Sequence, residues 1–220
     1  DLPVVQGAGE RHAPPAAAAH FLAETASRHP GQITLLATGP LTNLRGAAEV
    51  DPGFFGHVRR IACMGGVLRP LRFGEHEVPE LNLSADPEAA FQVLGADCPV
   101  TLMNAHVCLQ ASFVEEDMER IQEWSEETRS IVRQWLELMG YFSGVRAFYL
   151  WDLLPAVYVS HPELFDHQPV WIRSSVGDLE TGRIVLGETG EGEQVNMPSQ
   201  IENADRFKEL LFSARARVSI

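Results

Sequence analysis

The chain has 220 residues, 45% hydrophobic and 21% charged, which suits one α/β domain with a real core. Thirty acidic against 17 basic residues leave a formal net charge of −13. That argues against a nucleic-acid or anionic-membrane partner, because both need a Lys/Arg surface. No run reaches the roughly 18–20 apolar residues of a membrane span. Cys63, Cys98 and Cys108 lack metal-type spacing, so neither a zinc site nor a disulfide framework is expected, and a cytoplasmic setting is the default.

In chain order, Leu2 to Gln6 is a short apolar run that reads as a strand, ended by Gly7-Ala8-Gly9. Opening in mid-sheet without Met, the chain leads us to expect residues upstream of Asp1. Ala13 to Arg28 has helical spacing, with Pro14 and Pro15 tolerated in its first turn. Gln32 to Ala37 is a buried-type strand, and Thr38-Gly39-Pro40-Leu41-Thr42-Asn43 turns into a helix reaching about Val50. Val58 to Met64 is the next strand, ended by Gly65-Gly66, and residues 67–79 read as irregular. Asp86-Pro87-Glu88 carries the signals of a helix start, running to about Leu94, and Pro99 to Asn104 is a strand.

Phe113 to Phe142 reads as acidic helix broken near Glu123–Ser125, and Trp151 to Ser160 as an apolar helix. Val170 to Ser174 and Arg183 to Leu186 read as strands, and Asn203 to Phe212 as a closing amphipathic helix. Alternating strands and helices imply a mainly parallel, Rossmann-like sheet with helices on both faces, in one domain spanning 1–220. Ligands bind such sheets at the carboxyl ends of the strands. That selects Thr38–Asn43, Met64–Asn82, Asn104–Cys108 and the stretch before Asp152.

Three of these stretches carry chemistry, each with a plainer alternative. At Thr38, Gly39 and Pro40 allow a sharp turn that leaves the Thr38 carbonyl free to face the cleft; the alternative is a simple strand-to-helix turn. Glu80 and Asn82, two apart on an extended segment, share a side and suit vicinal hydroxyls of a sugar; the alternative is a surface acid and a turn amide. Asp152, between apolar neighbours, suits a hard cation, or else simply caps the helix that follows. The scattered histidines show no H-x-x-x-H spacing, and no nucleophile elbow or phosphate loop is present.

Together these pieces resemble the nucleoside hydrolase family, the inosine-uridine preferring N-ribohydrolases and their purine-specific relatives. The resemblance rests on His29–Asn43, Ile61–Gly66, Glu80–Ala90, Pro99–Leu102, and Trp151-Asp152 with Pro162–Phe165; residues 107–150 are the least similar. It implies calcium-dependent hydrolysis of the N-glycosidic bond of ribonucleosides. The ion would be held by the Thr38 carbonyl, by Asp152, and by a D-x-D-P-G-x-D-D loop that these 220 residues do not contain. The general base belongs to that same loop, so the catalytic residue is expected upstream of Asp1 and this stretch alone is expected to be inactive.

The resemblance further implies that Glu80 and Asn82 hold the ribose and that Met64 walls the sugar. Trp151 stands where inosine-uridine preferring members carry a leaving-group His, and the purine-specific branch has Trp there. A purine-leaning enzyme of purine salvage, with a homo-oligomeric assembly, is therefore expected. His106 stands where the family has Asp, and the sugar-contacting Asn expected before Glu80 is not evident. The alternative reading is a catalytically impaired nucleoside- or sugar-binding protein of the same fold.

Overall fold

The computed structural model describes residues 2–213. The first part runs α1 (Ala17–Arg28), β1 (Thr34–Ala37), α2 (Thr42–Val50), α3 (Phe54–His57), β2 (Arg60–Met64), β3 (Leu71–Phe73), β4 (His76–Val78), α4 (Pro87–Leu94) and β5 (Val100–Met103). It continues through α5 (Ala105–Cys108), β6 (Ser112–Val114), α6 (Glu126–Ser143), β7 (Ala147–Tyr149) and α7 (Leu153–Ser160). The last part is β8 (Pro169–Ile172), α8 (Val176–Leu179), β9 (Leu186–Gly187), β10 (Glu193–Asn196) and α9 (Ala204–Ser213).

Six strands form one sheet in the order β1-β2-β5-β10-β8-β9. The pairs β1–β2, β2–β5 and β5–β10 are parallel, whereas β10–β8 and β8–β9 are antiparallel. The expected mainly parallel α/β sheet is present, with an antiparallel flank joined to it. Strand β5 is buried throughout, as a strand covered on both faces must be.

The pleat divides the core in two. On one face Leu35, Ile61, Cys63 and Leu102 pack with Leu44 and Ala47 of α2, Val93 of α4 and Leu179 of α8. On the other, Met64 and Met103 pack with Leu154 and Val157 of α7 and with Phe207 of α9. Asp86 caps α4 as its sequence predicts: one carboxylate oxygen accepts from the Ala89 amide at 3.1 Å, with Pro87 at the first helical position. That carboxylate is fully buried, and the Arg45 guanidinium lies 3.4 Å from its other oxygen, tying α4 to α2.

Several elements differ from their sequence expectation. Leu2–Gln6 joins no strand (Asp1 lies outside the described residues); Leu2 and Val4 are exposed, so the run buries nothing that would hold it in a sheet. It is instead a strap: the Gln6 carbonyl accepts from the Ala18 amide and Asn43 Oδ1 accepts from the Ala8 amide. Helix α1 starts at Ala17, four residues later than expected, after the two prolines. Residues 67–79 contain the β3–β4 hairpin, turned at Gly74 with φ +60°.

The segment expected to be a broken helix from Phe113 begins as strand β6, which pairs with β7. A 3-10 turn over Glu115–Ile121 follows, and α6 starts at Glu126 with the Ser125 hydroxyl accepting from the Thr128 amide. The strand expected over Arg183–Leu186 shrinks to a bridge at Arg183 and the two residues of β9. Trp151 and Asp152 lie in a turn, and α7 starts after them.

Candidate functional site

Thr38 follows β1, Met64 ends β2 and Ala105 follows β5, so the carboxyl ends of three adjacent parallel strands open on one side of the sheet. There they border a cavity of about 740 Å3. All six residues singled out in the sequence line it: Thr38, Met64, Glu80, Asn82, Trp151 and Asp152. Its remaining wall is largely apolar and comes from the β3–β4 hairpin, β7 and one face of α6.

The glycine pair after β2 brings the hairpin segment close. Gly66 has φ +83°, and a side chain there would run into Ile184 at 2.8 Å. Its amide donates to Glu80 Oε1 at 3.2 Å. The same oxygen accepts from the amides of Asn82 at 2.9 Å and Leu83 at 3.0 Å, and Oε2 accepts from the Ser84 amide at 2.7 Å. Glu80 therefore pins the loop that carries Asn82, and Oε2, with one backbone donor against three on Oε1, is the oxygen with spare acceptor capacity. Asn82 Nδ2 donates to the Met64 carbonyl at 3.0 Å, which leaves its amide oxygen free to accept.

Asp152 occupies the capping position of α7, yet its side chain makes no capping hydrogen bond. The capping alternative is thus unfilled. Asp152 is exposed as a residue, and the partial desolvation of its carboxyl raises its pKa from the ordinary value. Behind it, Cys108 Sγ donates to the Trp151 carbonyl at 3.8 Å. Burial, then the nearby Asp152 charge, pushes that thiol far up, so it stays neutral and is no nucleophile.

Trp151 is half-buried and belongs to two surroundings. It packs on the core beside Val67, Leu71 and Ala105, and its ring meets Tyr149 edge-on at 5.4 Å. Phe73 lies 6.5 Å from Trp151 and stacks on Tyr149 at 5.4 Å and 18°. These three rings make a continuous aromatic wall in the cavity.

Phe73 and His76 fall in the Met64–Asn82 stretch that the strand-end rule selects, though neither is singled out there; sequence reasoning missed Tyr149 and the α6 residues Trp135, Met139 and Phe142 that complete the lining. The spacing of those last three, i, i+4 and i+7 on one helix face, was the available signal. His106 does not line the cavity. Its Nε2 accepts from the Arg69 amide at 3.2 Å, and burial together with the Arg69 charge lowers its pKa, so it anchors the loop as a neutral ring.

The fit to a cation is partial. Asp152 and the Thr38 carbonyl border the same cavity, but among the described residues no three His, Cys, Asp or Glu side chains are grouped to hold a metal. Calcium takes 6–8 oxygens, so these two supply only part of a shell.

Residues 3–209 match the model of the inosine-uridine preferring nucleoside hydrolase family. Uridine nucleosidase 1 of Arabidopsis thaliana is 29% identical over 176 residues, covering 78% of this chain and 51% of that protein. The inosine-uridine preferring nucleoside hydrolase of Crithidia fasciculata is 30% identical over 176 residues, covering 74% of this chain and 51% of that protein. This chain thus spans about half the length of those relatives. The crystal structure of the Bacillus anthracis inosine-uridine preferring nucleoside hydrolase superposes with a TM-score of 0.66 at 28% identity, over 87% of this chain and 63% of that one. With the match running through strap, sheet and cavity alike, this chain belongs to the inosine-uridine preferring nucleoside hydrolase family.

Proposed function

We propose that this chain carries the sugar- and base-holding part of a site that hydrolyses the N-glycosidic bond of ribonucleosides. The observation that carries the reading is the convergence of Thr38, Met64, Glu80, Asn82, Trp151 and Asp152 on one aromatic-walled cavity. Asn82 offers its amide oxygen, and Glu80 the free side of Oε2, to ribose hydroxyls. Both are held still by the backbone bonds described above, so little ordering is needed on binding. Met64 walls the sugar.

Asp152 and the Thr38 carbonyl would contribute to a calcium site whose other donors and general base come from sequence beyond these 220 residues. Bound calcium supplies coordination for hydroxyl oxygens and lowers the pKa of a coordinated water. The Asp152 carboxylate brings the charge such a site needs. Trp151, backed by Tyr149 and Phe73, offers a flat face to the base. Larger π surfaces gain more from such a face, which favours purines over pyrimidines.

A homo-oligomeric, cytoplasmic setting belongs to the same proposal; no helix among the described residues is long and apolar enough to cross a membrane. One observation favours the second reading, an impaired nucleoside-binding protein: the four backbone donors already on the Glu80 carboxylate. Ribose release from inosine and uridine by the full-length protein, with calcium and with chelator, separates the two. Chelator-sensitive release supports the hydrolase. Tight nucleoside binding without release supports the alternative.

A further inference from the structure

Departure of a nucleobase leaves negative charge on its ring nitrogen, which a general acid must neutralise. The inference therefore rests on the ribohydrolase reading and asks which group supplies that proton. Among the described residues four titratable side chains line the cavity: His76, Glu80, Tyr149 and Asp152. Glu80 is fixed as an acceptor by four backbone N–H groups. Asp152 is assigned to the cation, where it must be ionised. A phenol serves as a general acid less often than an imidazole does. Imidazole is the side chain that exchanges its proton near neutral pH.

The hairpin puts that imidazole beside the aromatic wall. Phe73 and His76 are directly opposed across the β3–β4 ladder, so their side chains stand on the same face. Phe73 is the ring that meets both Tyr149 and Trp151. Arg72 and Glu77, opposed one step along and hence on the other face, pair with each other at 3.1 Å. The His76 imidazole makes no hydrogen bond or ion pair with any described residue, and it is exposed enough to exchange a proton with water.

We propose that His76 is the catalytic residue that protonates the leaving base. The C1′–N bond breaks with its electron pair passing to the base nitrogen, which takes a proton from the imidazolium. Water adds its oxygen to C1′ and releases a proton through solvent, which restores the imidazolium. The products are ribose and the neutral base.

The test compares wild type and His76→Gln of the full-length protein on inosine, uridine and 4-nitrophenyl β-D-ribofuranoside, whose phenolate departs without a proton. The inference expects kcat on the nucleosides to fall about 10²–10⁴-fold, the usual worth of general acid catalysis. It expects hydrolysis of the nitrophenyl riboside to stay within a few-fold and the thermal midpoint to be unchanged. Equal losses on all three substrates, or no loss on the nucleosides, overturn the assignment of His76 and leave the ribohydrolase reading standing. A wild-type protein that hydrolyses none of the three overturns both.

Discussion

The Glu80 carboxylate accepts from the Gly66 amide, Oε1 at 3.2 Å, and so joins the end of β2 to the loop that carries Asn82. The same side chain packs directly on Gly182, where an added Cβ would come within 2.6 Å of it. A residue that reads in sequence as a sugar ligand is therefore also the fastener of three chain segments.

That dual role predicts a stability effect in the absence of ligand. Glu80→Gln keeps the shape but removes the charge and turns an N–H toward at least one backbone donor. Hydrogen bonds to a charged group contribute about 1.5–3 kcal/mol each, and part of that is lost. Chemical denaturation should show a destabilisation of about 1–3 kcal/mol; an unchanged midpoint would mean that the four contacts carry no net energy.

Asp152→Asn should behave in the opposite way. The carboxyl has no capping bond and Asp152 is exposed, so the neutral amide should leave the melting temperature nearly unchanged. In the full-length protein calcium binding should be abolished, because a hard cation needs the charge. Titration calorimetry reads this directly, and unaltered affinity removes Asp152 from the site.

For Trp151→Ala both properties should move, since the ring packs on the core and also lines the cavity. Full burial would set the loss at about 3–5 kcal/mol; a half-buried ring should lose less. In the full-length protein turnover of inosine should fall about 10-fold further than that of uridine, in line with stacking worth about 1–3 kcal/mol per base. Equal losses on both substrates dismiss the stacking role.

Acid stability should depend on Asp166. Burial works to raise its pKa, but donors from the Gln200 amide and from the Ser199 hydroxyl and amide outweigh it and hold the carboxyl below the usual range. A depressed folded pKa gives stability that is fully present above the unfolded value of about 3.9 and is lost as pH falls through the folded one. Asp166→Ala should therefore lower the melting temperature at pH 7, and the gap to wild type should narrow below about pH 3.9. A gap that is constant from pH 7 to pH 2 would rule out this linkage.

Arg45→Met should be among the most damaging changes in the chain. It strands the fully buried Asp86 carboxylate, and breaking a buried pair costs about 3–5 kcal/mol. Adding Asp86→Ser, which keeps a helix cap without the charge, should recover much of the loss in denaturant melts; no recovery would place the damage elsewhere.

The sequence by itself determined the elements whose signals are local. The apolar runs at 34–37, 60–64 and 100–103 become sheet; the second and third are buried almost throughout, whereas the first lies at the sheet edge and leaves Leu36 exposed. Asp86-Pro87 starts α4 because cap chemistry acts over three residues. Gly39-Pro40 and Gly65-Gly66 turn the chain at strand ends, which is where α/β sheets bind ligands, so Thr38 stands out by position; Glu80, Asn82 and Asp152 stand out by side-chain chemistry, and Met64 and Trp151 only through the family resemblance. Tertiary structure decided what depends on distant partners. Strand β10, Glu193–Asn196, has a single apolar residue, Val195, and exists because its backbone groups pair with β8 and β5. Phe73 and His76 lie on the short strands of a hairpin and Tyr149 on the three-residue β7, with no periodicity to read, and only the docking of hairpin, β7 and α6 around one cavity brings them to Trp151. Ladder pairing and side-chain convergence join residues far apart in the chain, and local pattern carries no record of which distant segment will supply the other half.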